Sequence, residues 1–173
     1  MRTENISGGT PVKPYPLKIV IADSLPDSAA DLLRQMGWKV DARARRSREK
    51  LLHDLKDADG LIVRSNTQVD AELLASAPQL KVIARAGTGV ENIDVGAASA
   101  RGILIINAPG ANSVSVAEHT CALMLALGRS IARADTAMKQ GQWTKKELVG
   151  IELRSKNLGL VGLGRVGQEV AFR

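Results

Sequence analysis

A glycine-rich turn near residue 165 has a spacing that suits phosphate binding. Gly162, Gly164 and Gly167 form the pattern G-x-G-x-x-G directly after the apolar run Leu158–Val161. The first glycine of such a pattern permits a tight turn, the second admits a pyrophosphate to the backbone, and the third lets a helix pack closely. N–H groups at that helix N-terminus would hold the phosphates. The pattern predicts a dinucleotide site, and the alternative is a glycine turn that binds no ligand.

Two arginines follow apolar runs at positions where an anion could bind. Arg64 and Ser65 come directly after one run, and Arg85 opens the turn Arg85–Gly89 after the next. Loops at the carboxyl ends of parallel strands form the ligand crevice of an α/β sheet. Two guanidiniums beside a turn with free backbone N–H groups would make an anion site.

Purely structural roles could also account for these arginines and for the histidines. Each arginine could instead pair with a nearby carboxylate, such as Asp23 or Asp59. His53 and His119 have no readable nucleophile or carboxylate partner, and we interpret them as hydrogen-bonded structural histidines. We recognise no catalytic triad, no useful carboxylate pair and no metal-ligand spacing, so the residues alone indicate no catalytic group and no metal.

Short apolar runs alternate with helical patterns over residues 17–107. The runs are rich in β-branched residues, as strands buried on both faces of a parallel sheet are. The alternation suits right-handed crossovers, so we predict one flavodoxin-like α/β domain. Its strands are expected at Leu17–Ala22, Trp38–Ala42, Leu61–Val63, Lys81–Ala84 and Ile103–Ile106, and its helices at Pro26–Met36, Leu51–Leu55, Leu73–Ala77 and Asp94–Ala100.

The pattern changes after residue 107, where a second unit is expected. Ser115 and Glu118 have the spacing of a capping box, which predicts a long helix from Ser115 to about Lys139. Its early turns are apolar almost all round, so we expect them to be buried. Gly141 should end the helix, and a strand over Leu158–Val161 should lead into the glycine turn.

The composition argues against nucleic acid as a partner. The 173 residues are 45% hydrophobic and 24% charged, with a formal net charge of +6, and only 2% are aromatic. Stacking platforms for single-stranded nucleic acid need aromatic side chains. The densest basic cluster is interpreted as a solvated edge and loop, since no groove-reading motif accompanies it. It consists of Arg43, Arg45, Arg46 and Arg48.

Cysteine use and hydropathy suggest a compartment. Cys121 is the single cysteine, so no internal disulfide is possible, and a reducing compartment is expected. No apolar stretch approaches the ~20 residues of a membrane span. Residues 1–16 are polar and proline-rich and are interpreted as a flexible tail, not a signal peptide. We therefore expect a cytoplasmic protein with no membrane partner.

Four motifs together resemble the D-isomer-specific 2-hydroxyacid dehydrogenase family. They are Val63–Thr67, Arg85–Asp94, Asn107–Glu118 and Gly162–Gly167, and the resemblance covers residues 17–173. It implies a substrate-binding domain at 17–107, followed at 108–173 by the first, incomplete part of a Rossmann NAD-binding domain.

The resemblance also implies roles for individual residues. A phosphorylated 2-hydroxy acid would contact Arg64, Ser65, Arg85, Ala86, Gly87 and Asn112. NAD would lie with its nicotinamide end near Thr88 and its pyrophosphate at Gly162, Gly164, Arg165, Val166 and Gly167. The catalytic arginine, glutamate and histidine of the family follow the phosphate loop, and no residue of this chain matches them. The chain is therefore expected to be an inactive fragment of an NAD-dependent oxidoreductase.

Substrate and assembly stay open at this point. Arg64 with the Arg85–Gly89 motif favours a phosphorylated acid, whereas another family member would act on glyoxylate or hydroxypyruvate. A non-catalytic binding module of the same fold would need a peptide groove, and the sequence shows no such aromatic-rich surface. The family dimer is made largely by the cofactor domain, so the resemblance implies a homo-oligomer in the complete enzyme.

Overall fold

The computed structural model describes residues 16–43 and 46–173. The chain divides into two compact units, and the division falls between Ala108 and Pro109. The predicted tail, residues 1–16, lies outside the described residues except for Pro16.

The first unit contains a five-stranded parallel sheet with the strand order β2-β1-β3-β4-β5. The chain moves outward from β1 first in one direction and then in the other, so the order reverses between β1 and β3. This order confirms the predicted flavodoxin-like α/β fold. The strands are β1 (Lys18–Ile21), β2 (Lys39–Asp41), β3 (Gly60–Val63), β4 (Val82–Arg85) and β5 (Leu104–Asn107).

Four helices connect these strands, and capping side chains explain where three of them begin. Ser47, Asp70 and Asp94 each accept a hydrogen bond from the backbone N–H three residues further on. Such a bond satisfies one of the N–H groups that a helix start leaves without a partner. The helices are α1 (Asp27–Gln35), α2 (Arg48–Asp54), α3 (Ala71–Ala75) and α4 (Val95–Ala100).

An aliphatic core joins the sheet to α2, α3 and α4. Leu55, Leu61, Leu73 and Ile83 are all completely buried. Each such side chain contributes about 1.5–3 kcal/mol through removal of apolar surface from water. This core fixes the positions at which the strands end, and therefore the positions of the loops that follow them.

The arginine cluster after β2 forms ion pairs. The guanidinium of Arg46 is only 4% exposed and lies 3.0 Å from Asp41 and 2.8 Å from Asp54. Hydrogen bonds from Arg43 hold the pKa of Asp41 well below its usual range. Partial burial of Asp41 acts in the opposite direction, and Arg46 lowers the pKa further. The expectation of a solvated cluster is wrong for Arg46, because the two carboxylates compensate the burial of its charge. Arg45 lies outside the described residues.

The second unit is helical. Ala117 and Val170 are buried where α5 and α7 contact each other. The expected burial of the apolar turns of α5 is wrong within this chain, since Leu123, Leu125 and Leu127 are 56%, 52% and 84% exposed. The helices are α5 (Ser113–Gly128), α6 (Ile131–Lys139), a short 3-10 helix (Lys145–Glu147) and α7 (Arg165–Phe172).

The start and length of the predicted long helix are both wrong. The Ser113 N–H donates to the Gly110 carbonyl at 3.0 Å, so α5 begins before Ser115, and the Ser115 hydroxyl lies too far into the helix to cap it. The predicted helix is in fact two helices, because Ser130 adopts a left-handed backbone with φ +50° between α5 and α6. Gly141, with φ +72°, follows the end of α6 as predicted.

The strand predicted at Leu158–Val161 does not form. These residues are exposed and carry no regular structure. A strand needs a neighbouring strand to receive its backbone hydrogen bonds, and residues 109–173 contain none. The prediction that the glycine turn follows a strand is therefore wrong for this structure, whereas the helix expected after the turn is present as α7.

Candidate functional site

Two neighbouring strands of the first unit end at the loops that carry the predicted anion-binding residues. β3 and β4 pair in parallel, with Val63 opposite Arg85. Arg64 and Ser65 follow β3 directly, so both arginines lie at the carboxyl edge of the sheet on adjacent strands. Ligands bind at this edge in doubly wound sheets.

Asp23, which follows β1, holds the Arg64 loop from one side. Asp23 is 8% exposed. Its Oδ2 accepts the N–H of Arg64 at 2.5 Å, and its Oδ1 accepts the hydroxyl of Thr67 at 2.8 Å. The carboxylate therefore binds the backbone of the loop and not the arginine side chain that the sequence suggested as its partner.

Asn92 holds the same loop from the other side. Its Nδ2 donates to the carbonyl oxygens of Arg64 at 2.8 Å and Thr67 at 2.6 Å. The residue is 5% exposed, and its Oδ1 is buried without a hydrogen-bond partner in the described structure. Val69 and Ile93 form an isolated parallel bridge beside it. Because Asn92 belongs to the segment that also contains Arg85, it ties the two arginine-bearing loops together.

The Arg64 guanidinium is available to a ligand. The residue is exposed, and its side chain donates to the Ser24 carbonyl at the long distance of 3.4 Å. Over residues 16–43 and 46–173, Arg64 forms no ion pair. Ser65 is also exposed. A charged group on a fixed loop without a carboxylate partner is suited to binding an anion.

Arg85 has a different environment. Its side chain is 9% exposed, and its Nη2 lies 2.9 Å from Oε1 of Glu91, which is 70% exposed. Arg85 Nε is buried and has no partner among the described atoms. The alternative of an arginine paired with a carboxylate therefore applies to Arg85, although the partner is Glu91 and not Asp23 or Asp59.

The turn after β4 does not present the free N–H groups that we expected at its start. The Ala86 N–H donates to the Val63 carbonyl at 2.8 Å, and the Gly87 N–H donates to the Arg85 carbonyl at 2.8 Å. Asn107 Nδ2 donates to the Thr88 carbonyl at 2.6 Å. These bonds stabilise the turn itself and leave the N–H groups of Ala86 and Gly87 unavailable to an anion.

The three glycines of the turn in the second unit have different steric surroundings. Gly162 has φ +95°, which favours glycine, and no atom lies within 4 Å of the Cβ position of Gly164. A Cβ on Gly167 would overlap the Gly162 carbonyl, so the third glycine permits close packing of α7 on the turn. Gly162 and Gly167 thus each meet a steric need, and Gly164 leaves open space.

The N-terminus of α7 leaves donors open above this turn. The first intrahelical bond runs from Gln168 N–H to the Gly164 carbonyl at 2.9 Å. The N–H groups of Arg165, Val166 and Gly167 precede it and have no acceptor within the helix. Arg165 is exposed. Open N–H groups, a helix dipole and an exposed arginine fit a pyrophosphate.

The residues predicted to bind the acid are divided between the two units of the chain. The sequence also did not identify two residues that contact the arginine loops. Asn112 directly precedes α5 in the second unit, whereas Arg64, Ser65 and Arg85 belong to the first. Asn92 and Glu91 were not predicted as partners of the arginine loops, because their contacts follow from the backbone path and not from any spacing rule. In the described part of the chain, no helix could span a membrane and no group of three potential metal ligands is present.

A parallel sheet of this strand order with charged loops at its carboxyl edge, and a glycine turn at a helix N-terminus further along the chain, are features that α/β dehydrogenases share. The model of the family "D-isomer specific 2-hydroxyacid dehydrogenase, catalytic domain" matches residues 19–168. The chain belongs to this family of oxidoreductases, whose substrates are small 2-hydroxy acids.

Relatives with known names agree with this assignment. D-3-phosphoglycerate dehydrogenase of Archaeoglobus fulgidus is 48% identical over 157 residues, which are 91% of this chain and 30% of that protein. The chain therefore spans about 30% of the length of this curated relative.

Solved structures show the same fold. The TT0316 protein of Thermus thermophilus aligns with a TM-score of 0.84 and 35% identity, over 90% of this chain and 52% of that one. The NAD+-bound 3-phosphoglycerate dehydrogenase of Entamoeba histolytica aligns with a TM-score of 0.73 and 31% identity, over 91% of this chain and 50% of that one.

Proposed function

We propose that this chain contributes the acid-binding loops and the phosphate loop of a D-3-phosphoglycerate dehydrogenase. Such an enzyme oxidises 3-phosphoglycerate with NAD to 3-phosphohydroxypyruvate and NADH, in the cytoplasmic biosynthesis of serine. The observation that carries the proposal is the exposed Arg64 guanidinium on a loop held by Asp23 and Asn92, beside Arg85 on the neighbouring strand. The names of the relatives support the same substrate.

The residues of this chain would bind and orient the reactants. Arg64 and Arg85 would bind the anionic groups of the acid, and Ser65 lies next to them as an additional hydroxyl donor. The N–H groups at the start of α7 and the Arg165 side chain would hold the pyrophosphate of NAD. When bound, the nicotinamide ring supplies the hydride acceptor. By resemblance, the family's general base and its partners have no counterpart here, so we expect the 173-residue chain to bind the acid without turning it over.

A ligand titration tests the binding part of this proposal. Heteronuclear NMR of the whole chain, titrated with D-3-phosphoglycerate, should show saturable shifts around residues 64 and 85. Arg64→Ala should weaken binding about 10- to 100-fold, since a charge-assisted hydrogen bond contributes about 1.5–3 kcal/mol. Arg34→Ala is the matched control, because Arg34 is an exposed arginine on α1 paired with Asp31; it should bind as the unchanged chain does.

Two further outcomes decide between the named alternatives. Glyoxylate or hydroxypyruvate binding more tightly than 3-phosphoglycerate would favour a reductase of those acids. NADH formation by protein free of any longer dehydrogenase would contradict the expected inactivity.

We also propose that the complete enzyme is a homo-oligomer. The exposed leucines of α5 support this, because large apolar side chains left in water on two sides of one helix are typical of a surface that another chain covers. They are Leu123 and Leu127, which are one turn apart, and Leu125 on the opposite side. Analytical ultracentrifugation of the chain and of Leu125→Lys should show a concentration-dependent dimer that the substitution weakens. A monomer at all concentrations for the unchanged chain would contradict an interface on this helix.

A further inference from the structure

The Glu91 carboxylate forms an ion pair with the Arg85 guanidinium in the first unit. Arg85 ends β4 and Glu91 lies six residues later in the loop that follows, with Nη2 and Oε1 separated by 2.9 Å. Arg85 is almost buried, whereas the Glu91 side chain is 70% exposed. The carboxylate thus covers a charge that the proposed acid site needs.

The contact between them is incomplete. Glu91 accepts from one nitrogen of the guanidinium, and Nε of Arg85 has no partner among the described atoms. Strong arginine–carboxylate pairs use two parallel hydrogen bonds. A single contact to an exposed carboxylate is weak in water. Another anion can therefore replace it.

Two glycines make room for this arrangement. A Cβ on Gly87 would overlap Nη1 of Arg85, and a Cβ on Gly89 would overlap Oε2 of Glu91. Each glycine therefore leaves space for one partner of the pair. Substitutions at these positions can move one side chain without altering the charge of the loop.

We propose that Glu91 is an internal competitor for Arg85, and that an anionic substrate binds by displacing the Glu91 carboxylate. The inference rests on the proposed function, since it presumes that Arg85 binds the acid. The anionic group takes the place of Oε1 at Nη2, and the released carboxylate, already mostly exposed, turns into solvent. Glu91 therefore lowers the affinity of the site by the strength of its own contact.

The test compares two ways of releasing the contact. Gly89→Ala displaces the Glu91 carboxylate, because the added Cβ would overlap Oε2, and it leaves the negative charge of Glu91 in place. The glycine has no left-handed φ, so alanine is compatible with its backbone. Glu91→Gln keeps the shape and removes the charge. In NMR titrations of the whole chain with D-3-phosphoglycerate, both should lower Kd about 2- to 5-fold, the fold-change expected for loss of a single contact to an exposed carboxylate.

Gly96→Ala and Glu49→Gln serve as matched controls. A Cβ on Gly96 makes an ordinary contact, 3.5 Å from Asp94 Oδ1. Glu49 is an exposed carboxylate in the first turn of α2. Both control variants should bind with the affinity of the unchanged chain.

The outcomes separate this inference from the function on which it rests. The proposal that Glu91 competes for Arg85 is refuted if Glu91→Gln binds D-3-phosphoglycerate more tightly and Gly89→Ala does not. It is also refuted if neither variant binds more tightly. If Gly89→Ala does not fold, the two glutamine variants decide. An equal increase in affinity in Glu91→Gln and Glu49→Gln then refutes the proposal that Glu91 competes for Arg85. If Arg64→Ala and Arg85→Ala still weaken binding, the proposed function stands in either case. If neither weakens binding, or no variant binds the acid, the proposed function fails and the competitor fails with it.

Discussion

Removing the Asn92 amide should release the Arg64 loop, and the structure gives the size of the effect. Two hydrogen bonds to the carbonyls of Arg64 and Thr67 are lost, each contributing about 0.5–1.5 kcal/mol. Leaving those partly buried carbonyls unpaired adds about 1–2 kcal/mol, and loss of the unpartnered Oδ1 returns about 1 kcal/mol. Asn92→Ala should therefore lower the free energy of unfolding of the first unit by about 2 kcal/mol.

Urea unfolding followed by tryptophan fluorescence measures this change. Trp38 lies in the first unit and is partly buried, whereas Trp143 lies in the second and is 78% exposed. A Trp143→Phe background makes Trp38 the reporter of the first unit. Asn66→Ala, an exposed asparagine in the same loop, is the control and should change the free energy by less than about 0.5 kcal/mol.

The refuting result is an Asn92 variant as stable as the Asn66 variant, which would mean that Asp23 alone holds the loop. Binding offers a second check. Ordering a side chain on association costs about 0.5–1.5 kcal/mol, so a loosened Arg64 should weaken D-3-phosphoglycerate binding about 2- to 10-fold. An affinity equal to that of the unchanged chain would show that the loop keeps its conformation without Asn92.

The remaining predictions concern the core, the acid range and the glycine turn. Leu55→Ala should destabilise the first unit by about 2–5 kcal/mol in the same urea experiment, because the side chain is completely buried. The lowered pKa of Asp41 contributes stability above its unfolded value of about 3.9, and this contribution is lost as the pH falls toward the folded value. Asp41→Asn should therefore flatten the loss of stability between about pH 5 and pH 2, measured by fluorescence. Gly167→Ala should displace α7 from the Gly162 carbonyl and weaken NAD binding, measured by saturation-transfer NMR; unchanged binding would show that this contact is not needed.

The sheet was predictable because its signal is local and repeated. Each strand carries β-branched residues in a short run. The helix predicted to begin at Asp94 is also present, with Asp94 as its N-cap. The strand bounds shift by about one residue, since they depend on how neighbouring strands pair, as where Val63 lies opposite Arg85. Periodicity finds an element, whereas its ends are decided between elements.

The second unit was harder to predict because its signals compete. Ser115 and Glu118 have capping spacing, yet the turn at Gly110 starts α5 earlier, and a cap matters only at the residue where the helix begins. The apolar run Leu158–Val161 has strand composition, but a strand exists only with a partner. Composition alone reports neither condition.

The two arginines are equivalent in sequence and unequal in structure, and this difference bears on how the site would act. Arg64 has no ion pair to break within the described part of the chain, so its full attraction is available when an anion arrives. Arg85 must first lose Glu91, so the same anion gains less from it. Asn92 ties the Arg64 loop to the segment that follows Arg85. The association of an anionic ligand with the site would therefore depend mainly on Arg64. The lifetime of the complex would depend on how completely the ligand replaces Glu91 at Arg85.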